Sequence, residues 1–244
     1  MRQTMLLARR SAKELLRDPL TLFFGLGFPL VVLALLSAIQ KNVPVPLFAP
    51  EKLGPGVTIF GLSFVTLFAA LLVSKDRSSA LLLRLYTTPL RPVHYIFGYL
   101  LPLLPLALAQ SAVCCAAALV LGLPWRWSLP AVAALNLPAA LLFGSLGLLC
   151  GSLLTDKQVG GICGALITNL TAWLSGIWFD LSLVGGVYET LAKALPFYHA
   201  VELARAVYAG ALPAALPHLW MVLAWAAALT TAAVWAFLRQ MRKN

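Results

Sequence analysis

Long apolar stretches separated by short polar ones are the feature that most constrains how this chain folds. Of its 244 residues, 61% are hydrophobic and only 11% are charged, whereas soluble domains carry about 25% charged residues. A helix that crosses a bilayer needs about 20 mostly apolar residues. Stretches of about this length predict six spans, over residues 20–39, 57–73, 93–121, 129–154, 159–179 and 218–238. The sequence therefore predicts an all-α integral membrane protein whose residues 1–244 form one transmembrane domain.

Residues 1–19 have a different pattern, in which apolar and charged side chains alternate with helical spacing. Met5, Ala8, Ala12, Leu15 and Leu16 fall on one face, and Arg10, Lys13, Glu14 and Arg17 fall on the other. Leu7 interrupts this pattern. We predict an amphipathic helix that lies in the plane of the membrane interface, with a solvated N-terminal tail as the alternative.

A polar loop at 74–92 joins the second and third predicted spans and contains a short helical pattern. Ser78 or Ser79 can cap such a helix, Leu82 and Leu85 give it an apolar side, and Pro89 ends it. A capped amphipathic helix between two spans suits docking onto a partner protein. A basic loop lying near lipid headgroups is the alternative.

Several segments resemble the ABC-transporter type-2 permease family. The loop sequence Leu85-Tyr86-Thr87-Thr88-Pro89-Leu90 follows Arg84 and precedes Gly98, as in the loop after that family's second span. Arg17-Asp18-Pro19 followed by Phe28-Pro29 is similar to the start of the family's first span, and Leu195-Pro196 with Arg205 and Gly210 is similar to its external segment. The chain departs from the family at 80–83, where Gly-Thr-x-Glu is usual, and at Asp180, where proline is usual.

The resemblance implies that the loop is a coupling helix, which fits a groove on a separate ATP-hydrolysing subunit. The implied coupling residues are Ser78, Leu82, Arg84, Leu85, Thr88 and Pro89. It also implies two ATPase subunits, which hold ATP and Mg²⁺, so that no cofactor is expected in this chain. A permease of this size forms half of a pathway, so a second copy or a paralogue is expected beside it, as a homodimer or a heterodimer.

The residues themselves carry no recognisable catalytic site. The chain lacks the G-x-x-x-x-G-K-[ST] phosphate loop and the H-E-x-x-H motif, so it is not expected to be an enzyme. His199 and Glu202 have a spacing that could share a metal ion, but two ligands alone make a weak site. Cys114, Cys115, Cys150 and Cys163 lie in apolar stretches and are interpreted as small packing residues.

The sequence leaves three classes of function to compare: a permease driven by a separate ATPase, a secondary transporter and an intramembrane lipid-modifying enzyme. Secondary transporters usually place ionisable residues within their spans, and here the spans contain essentially none. A lipid enzyme needs clustered carboxylates, which are also missing. The first class, an exporter of a lipophilic drug-like compound, lipid or hydrophobic peptide, is therefore favoured, with the other two as alternatives.

The distribution of positive charge predicts the orientation, because loops on the cytoplasmic side gather Lys and Arg. With the N-terminus inside the cell, 13 of the 18 basic residues face the cytoplasm: Arg2, Arg9, Arg10, Lys13, Arg17, Lys75, Arg77, Arg84, Arg91, Lys157, Arg239, Arg242 and Lys243. We predict a multi-pass protein of the cell membrane with both termini in the cytoplasm. The same asymmetry explains the net charge of +10 without nucleic acid, and it suits anionic inner-leaflet lipid.

Two further groups of residues are candidates for a role. Gly144, Gly147 and Gly151 are small residues in the fourth predicted span that would let helices approach closely. Residues 180–217 are too polar to span and too apolar for an ordinary loop, which predicts an external re-entrant helical segment. Within it, Glu202 and Arg205 lie three residues apart and can pair, either to hold the segment in place or as part of an outer gate.

Overall fold

The computed structural model describes residues 2–43, 46, 48–79 and 92–241, which form helices and turns with no β-strand among them. We number the helices in chain order. They are α1 (Arg2–Arg17), α2 (Pro19–Asn42), α3 (Pro50–Ser78), α4 (Pro92–Leu100), α5 (Leu103–Val120), α6 (Leu129–Leu135), α7 (Leu137–Leu153), α8 (156–174), α9 (Gly186–Ala194), α10 (Pro196–Tyr208) and α11 (Leu212–Met241). The all-α prediction is confirmed for these residues.

Five helices in the described part of the chain are long and apolar enough to cross a membrane. They are α2, α3, the α4–α5 pair from His94 to Val120, the α6–α7 pair from Leu129 to Leu153, and α11. Helix α8, at the place of the predicted fifth span, begins with the polar run Asp156-Lys157-Gln158 and is not among them. The sixth crossing therefore remains a prediction.

Prolines and polar ends set the helix bounds. The chain breaks between α4 and α5 at Pro102, as expected for a residue that lacks the amide hydrogen. Pro29 leaves α2 unbroken, because the π-helical turn Phe23–Gly27 lies just before it and widens the backbone there. Helix α3 begins at Pro50 and continues to Ser78, so it is longer at both ends than the predicted span 57–73.

Helix α3 is the centre of the bundle, and 89% of its most apolar stretch is buried, against 22% for α2. It packs closely against α7 through two of the predicted packing glycines. A Cβ atom added to Gly147 would lie 2.3 Å from the carbonyl oxygen of Thr66, and one added to Gly151 would lie 2.6 Å from that of Ala70. The third, Gly144, faces the side chain of Leu100. Gly147 and Gly151 therefore allow the backbones of α3 and α7 to approach each other.

Helix α1 packs against α4 with a face that differs from the one predicted. Leu7, interpreted as an interruption of the pattern, is buried together with Ala8, Ser11 and Leu15, and its side chain fills the space beside Gly98. Met5 and Leu16, which the pattern places with the buried residues, are exposed instead. The helix therefore has two apolar surfaces, one against the protein and one facing outward.

Helices α9 and α10 are separated at Pro196, as the sequence predicts, and α10 is the more buried of the two. Phe197, Val201, Leu203 and Val207 of α10 belong to the main core, and the ring of Phe197 stacks on that of Phe143 in α7 at 5.9 Å between centroids. Helix α10 also contacts α3, α6 and α11. The segment 180–217 is thus packed into one end of the bundle, while its re-entry into a membrane stays a prediction.

Candidate functional site

The end of α3 leads into the predicted coupling loop and is tied to several other helices by three consecutive residues, Asp76, Arg77 and Ser78. We call these residues and the side chains and carbonyls that they contact the loop-base cluster. The residues come together here because α3 stays helical past its apolar stretch, which turns successive side chains toward different neighbours about 100° apart around the axis.

Asp76 is the buried member of the loop-base cluster, with 2% of its side chain exposed. Both of its carboxylate oxygens accept hydrogen bonds from the guanidinium of Arg10 on α1, at 2.6 Å each. The hydroxyl of Tyr99 on α4 donates to the same carboxylate at 2.8 Å. The hydrogen bonds from Arg10 to Asp76 raise the pKa of Arg10, against the opposing effect of burial. The bidentate pair fixes α1 to the end of α3.

Arg77 donates hydrogen bonds to carbonyl oxygens at the C-terminal end of α7. Its guanidinium donates to the carbonyl oxygens of Ser152, at 2.5 Å, and of Leu154, and to the side-chain oxygen of Gln240 on α11 at 3.3 Å. The last carbonyls of a helix have no partner within it, and a cation there also offsets the negative end of the helix dipole. Arg77 therefore joins the ends of three helices, α3, α7 and α11.

Ser78 is the one predicted coupling residue within the described part of the chain, and the helix that it was predicted to cap lies outside the described residues. It is the last residue of α3, and its hydroxyl contacts the carbonyl of Lys75 at 2.9 Å and the carboxylate of Asp156 at 3.0 Å. Ser78 thereby connects α3 to the start of α8. The other predicted coupling residues, Leu82, Arg84, Leu85, Thr88 and Pro89, lie outside the described residues.

A second cluster lies at the opposite end of the bundle and is centred on Arg205 of α10. Its guanidinium donates to Glu202 at 2.9 Å, which is the pair that the sequence spacing predicts, and to the carbonyl of Gly176 at 2.9 Å. It also donates to the carbonyl of Lys52, whose ammonium group pairs with Asp180 at 3.2 Å. Arg205 thus connects α10 with the start of α3 and with the turn after α8.

A cavity of about 440 Å³ opens beside this second cluster. Its lining combines Glu202 and Arg205 with Arg126, Tyr208 and His218. Arg126 lies over the ring of Tyr208, at 5.3 Å from the centroid. Charged and aromatic side chains therefore surround an opening at the end of the bundle to which the sequence analysis assigned a gate.

His199 has a partner that sequence spacing alone does not reveal. Its Nδ1 lies 2.9 Å from Nδ1 of His218 at the start of α11. Burial, and then the nearby His218, lower the pKa of His199 below its ordinary value. Among the described residues no group of three or more His, Cys, Asp or Glu side chains could hold a metal ion, so the spacing of His199 and Glu202 finds no third ligand there.

Sequence analysis missed the most deeply engaged residues of the loop-base cluster. The sequence pattern includes Asp76 only within the polar loop at 74–92, and Arg10 only within a charged face of the N-terminal helix. The available signal was a carboxylate three residues after an apolar stretch of 17 residues, 57–73, since a charge so close to an apolar stretch needs a partner.

Comparison with protein-family models matches residues 2–209 to the ABC-2 type transporter family, and comparison with curated proteins finds no significant match. The family match covers most of the chain, including α1, residues 74–92, the Glu202–Arg205 pair and the loop-base cluster apart from Gln240. Members of this family are the membrane components of ABC transporters and normally work with an ATPase partner. The chain, in whose described part five apolar helices are long enough to cross a membrane, belongs to the ABC-2 type transporter family.

Proposed function

We propose that this chain is the permease subunit of an ABC exporter and that residues 74–92 couple it to a separate ATPase, which holds the ATP and Mg²⁺. The observation that carries the proposal is the loop-base cluster, in which the residues leading into the loop are bonded to α1, α4, α7, α8 and α11. A force applied to the loop by a partner would reach all of these helices directly.

The proposed orientation places the loop-base cluster on the cytoplasmic side of the cell membrane. Helix α1 and the C-terminal end of α11 lie at this end of the bundle, since Arg10 of α1 contacts Asp76 and Gln240 of α11 contacts Arg77. This agrees with an even number of crossings, so α8 is proposed as the sixth. The excess of Lys and Arg at the same end favours the cytoplasm.

Two copies of the chain, or one copy and a paralogue, are proposed to form the transport pathway. Helix α8 exposes Leu166, Leu170 and Trp173 on one side, together with the polar side chain of Asn169. A polar amide that faces lipid hydrocarbon is costly, whereas amides between helices stabilise their association. The exposed side of α8 therefore suits contact with a second permease.

The opposite end of the bundle is proposed as the exit. The cavity beside Glu202 and Arg205 provides an opening lined with charge, whereas the helices behind it are apolar. A lipophilic substrate, such as a drug-like compound, a lipid or a hydrophobic peptide, suits an apolar pathway of this kind. The charged segment would then act as an outer gate that closes behind the substrate.

The coupling role is tested by the double substitution Leu82→Asp with Leu85→Asp. Two carboxylates on the apolar side of the loop would oppose burial against a partner, so we expect the amount of ATPase that co-purifies with the permease to fall at least about tenfold. The matched control is Leu183→Asp with Leu191→Asp, two exposed leucines at the opposite end of the bundle. The measurement is the ratio of ATPase to permease after affinity purification, followed by export assays.

Wild-type co-purification and export by the Leu82→Asp, Leu85→Asp variant would contradict the assignment of 74–92 as the coupling element. An equal loss in the control variant would show a general effect of added charge on folding, and it would also count against the assignment.

A further inference from the structure

A basic groove of about 800 Å³ lies between α1 and the end of α3. It shares Arg10 and the backbone of Lys75 with the loop-base cluster. Four further cationic side chains line it: Arg9, Lys13 and Arg17 from α1, and Lys75 from α3. All four side chains are exposed. The groove is therefore open to a ligand that approaches from outside the protein.

The acidic residues along this groove are already engaged within the protein. Glu14 pairs with Arg10 at 3.3 Å. Asp18 caps the start of α2 by accepting hydrogen bonds from the amide of Leu20 at 3.3 Å and from the hydroxyl of Thr21 at 2.7 Å. The oxygens of both carboxylates are therefore satisfied, although the donors to Asp18 are neutral and leave its charge. The five cations of the groove still exceed Glu14, Asp18 and the adjoining Asp76 by two charges.

The four cations have no such partners in the described part of the chain. The ion pairs found there do not involve Arg9, Lys13, Arg17 or Lys75. Arg10, the fifth cation of the groove, is held by Asp76. The groove thus carries an excess of positive charge that a ligand with a negative group would offset.

Exposed apolar side chains beside the groove indicate where it lies relative to a bilayer. Leu6 lines the groove itself and is 60% exposed, and Leu20, next to Pro19 of the groove, is 65% exposed. Met5 and Leu16 add exposed apolar surface to α1. Because α2 begins at Pro19, the groove lies at the level where an apolar helix enters the membrane.

We propose that this groove binds the phosphate headgroup of an anionic phospholipid of the cytoplasmic leaflet. Arginine and lysine side chains together offer several donors to phosphate oxygens, while Leu6, Leu20 and Leu16 contact the acyl chains. An acidic protein surface would match the charge of the groove but would leave these apolar side chains exposed to water. A headgroup with attached acyl chains matches both the charge and the apolar rim.

The test uses the full-length permease without its ATPase, reconstituted in phosphatidylcholine bilayers that contain a minor fraction of spin-labelled phosphatidylglycerol. Electron spin resonance measures the immobilised fraction of the labelled lipid and gives its association constant relative to labelled phosphatidylcholine. We expect the wild-type chain to prefer phosphatidylglycerol. Lys13→Gln with Arg17→Gln should reduce that preference at least about fivefold, since each cation near an anionic surface strengthens binding.

The matched control removes two cations elsewhere at the same end of the bundle, through Lys157→Gln with Arg239→Gln. This variant should keep the preference of the wild type. Equal preference for phosphatidylglycerol in all three proteins would overturn the proposal, because the groove cations would then not contribute to lipid binding. An equal loss in both variants would also overturn it, because that result indicates a diffuse attraction between the basic surface and the anionic lipid.

A second arm adds inorganic phosphate to the wild-type chain. If the groove recognises a lipid, phosphate at the concentration of the labelled lipid should leave the preference unchanged. Displacement of the lipid by free phosphate would overturn the assignment to a lipid. Failure of the ATPase contact would not alter either result, since no ATPase is present.

Discussion

At the scale of single residues, Asp76 is the side chain whose position depends most on its partners. A carboxylate with 2% of its surface exposed is costly unless its oxygens are satisfied. Arg10 and Tyr99 do this from two different helices. The three residues are therefore best regarded as one unit that holds α1 and α4 against the end of α3.

The energetic coupling in this unit can be measured with a double-mutant cycle. Arg10→Gln removes the cation and leaves the Asp76 carboxylate buried, so we expect the free energy of unfolding to fall by roughly 2 kcal/mol. Loss of a partner from a fully buried pair costs about 3–5 kcal/mol, but Arg10 is 42% exposed, and water can reach its place. Asp76→Asn should cost less, because it removes the buried charge.

The double variant Arg10→Gln with Asp76→Asn should be destabilised by clearly less than the sum of the two single variants. The measurement is unfolding of the chain in detergent, with Arg9→Gln as a control that changes the adjacent cation of α1. Additive effects would show that the two side chains do not act as a pair.

At the scale of helices, the contact between α10 and α11 contains two facing imidazole rings. The two imidazole Nδ1 atoms of His199 and His218 are 2.9 Å apart, so one must donate and the other accept. Tyr198 lies beside the pair. The charge of Glu202 favours the protonated form of His199, and the charge of His218 opposes it.

Stability should therefore fall in mild acid. The pKa of His199 is lowered in the folded chain from its ordinary value of 6.5, so the unfolded chain binds the proton first as pH falls. The stabilisation by this contact is complete above about pH 6.5 and is lost as pH falls through the lower pKa of the folded state. The midpoint of thermal unfolding should consequently drop between about pH 7.5 and about pH 5.5.

Replacing His218 by glutamine should reduce this drop, since an amide can contact His199 without acquiring charge. His94→Gln, which replaces the remaining histidine of the chain, serves as the control and should keep the pH dependence of the wild type. If His218→Gln and the wild type lose the same stability in acid, the origin of the pH dependence lies outside this contact.

The helices also show which features could be predicted from the sequence. Local patterns predicted the apolar helices and the Glu202–Arg205 pair, because the length of an apolar stretch and the spacing of residues three apart can be read within one segment. The Arg10–Asp76 and His199–His218 contacts join residues distant in the chain, and no local period encodes them. Residue Leu7 was misinterpreted because α1 buries one face in the protein and exposes a second apolar face.

At the scale of the whole molecule, the orientation in the membrane decides which end of the bundle meets the ATPase. We expect both termini and α8's first residues to face the cytoplasm. Single cysteines at Asn42 and Lys157, in a chain whose four native cysteines are replaced, test this with a membrane-impermeant maleimide added to intact cells. Position 42 should be labelled from outside the cell, and position 157 only after the membrane is opened.

Both sites suit labelling, because Asn42 and Lys157 are exposed, whereas Asp76 at the end of α3 is buried. Labelling of position 157 but not of position 42 in intact cells would invert the orientation, and with it the proposed places of the ATPase and of the exit.

The three neighbouring residues at the end of α3 also determine how the molecule can respond to a pull. Their consecutive Cα atoms lie about 3.8 Å apart, yet their side chains form hydrogen bonds to five other helices. A displacement of this short piece of backbone must either break those bonds together or carry the attached helices with it.

The charged members make six hydrogen bonds. Breaking them together, at about 1.5–3 kcal/mol each, would cost roughly 9–18 kcal/mol, which exceeds the roughly 5.5 kcal/mol that reverses a 1:99 equilibrium between two states. Carrying the helices along is the cheaper course. A movement that a bound ATPase imposes on the loop should therefore displace the attached helices together as a rigid body, so that it reaches the opposite end of the bundle in one step.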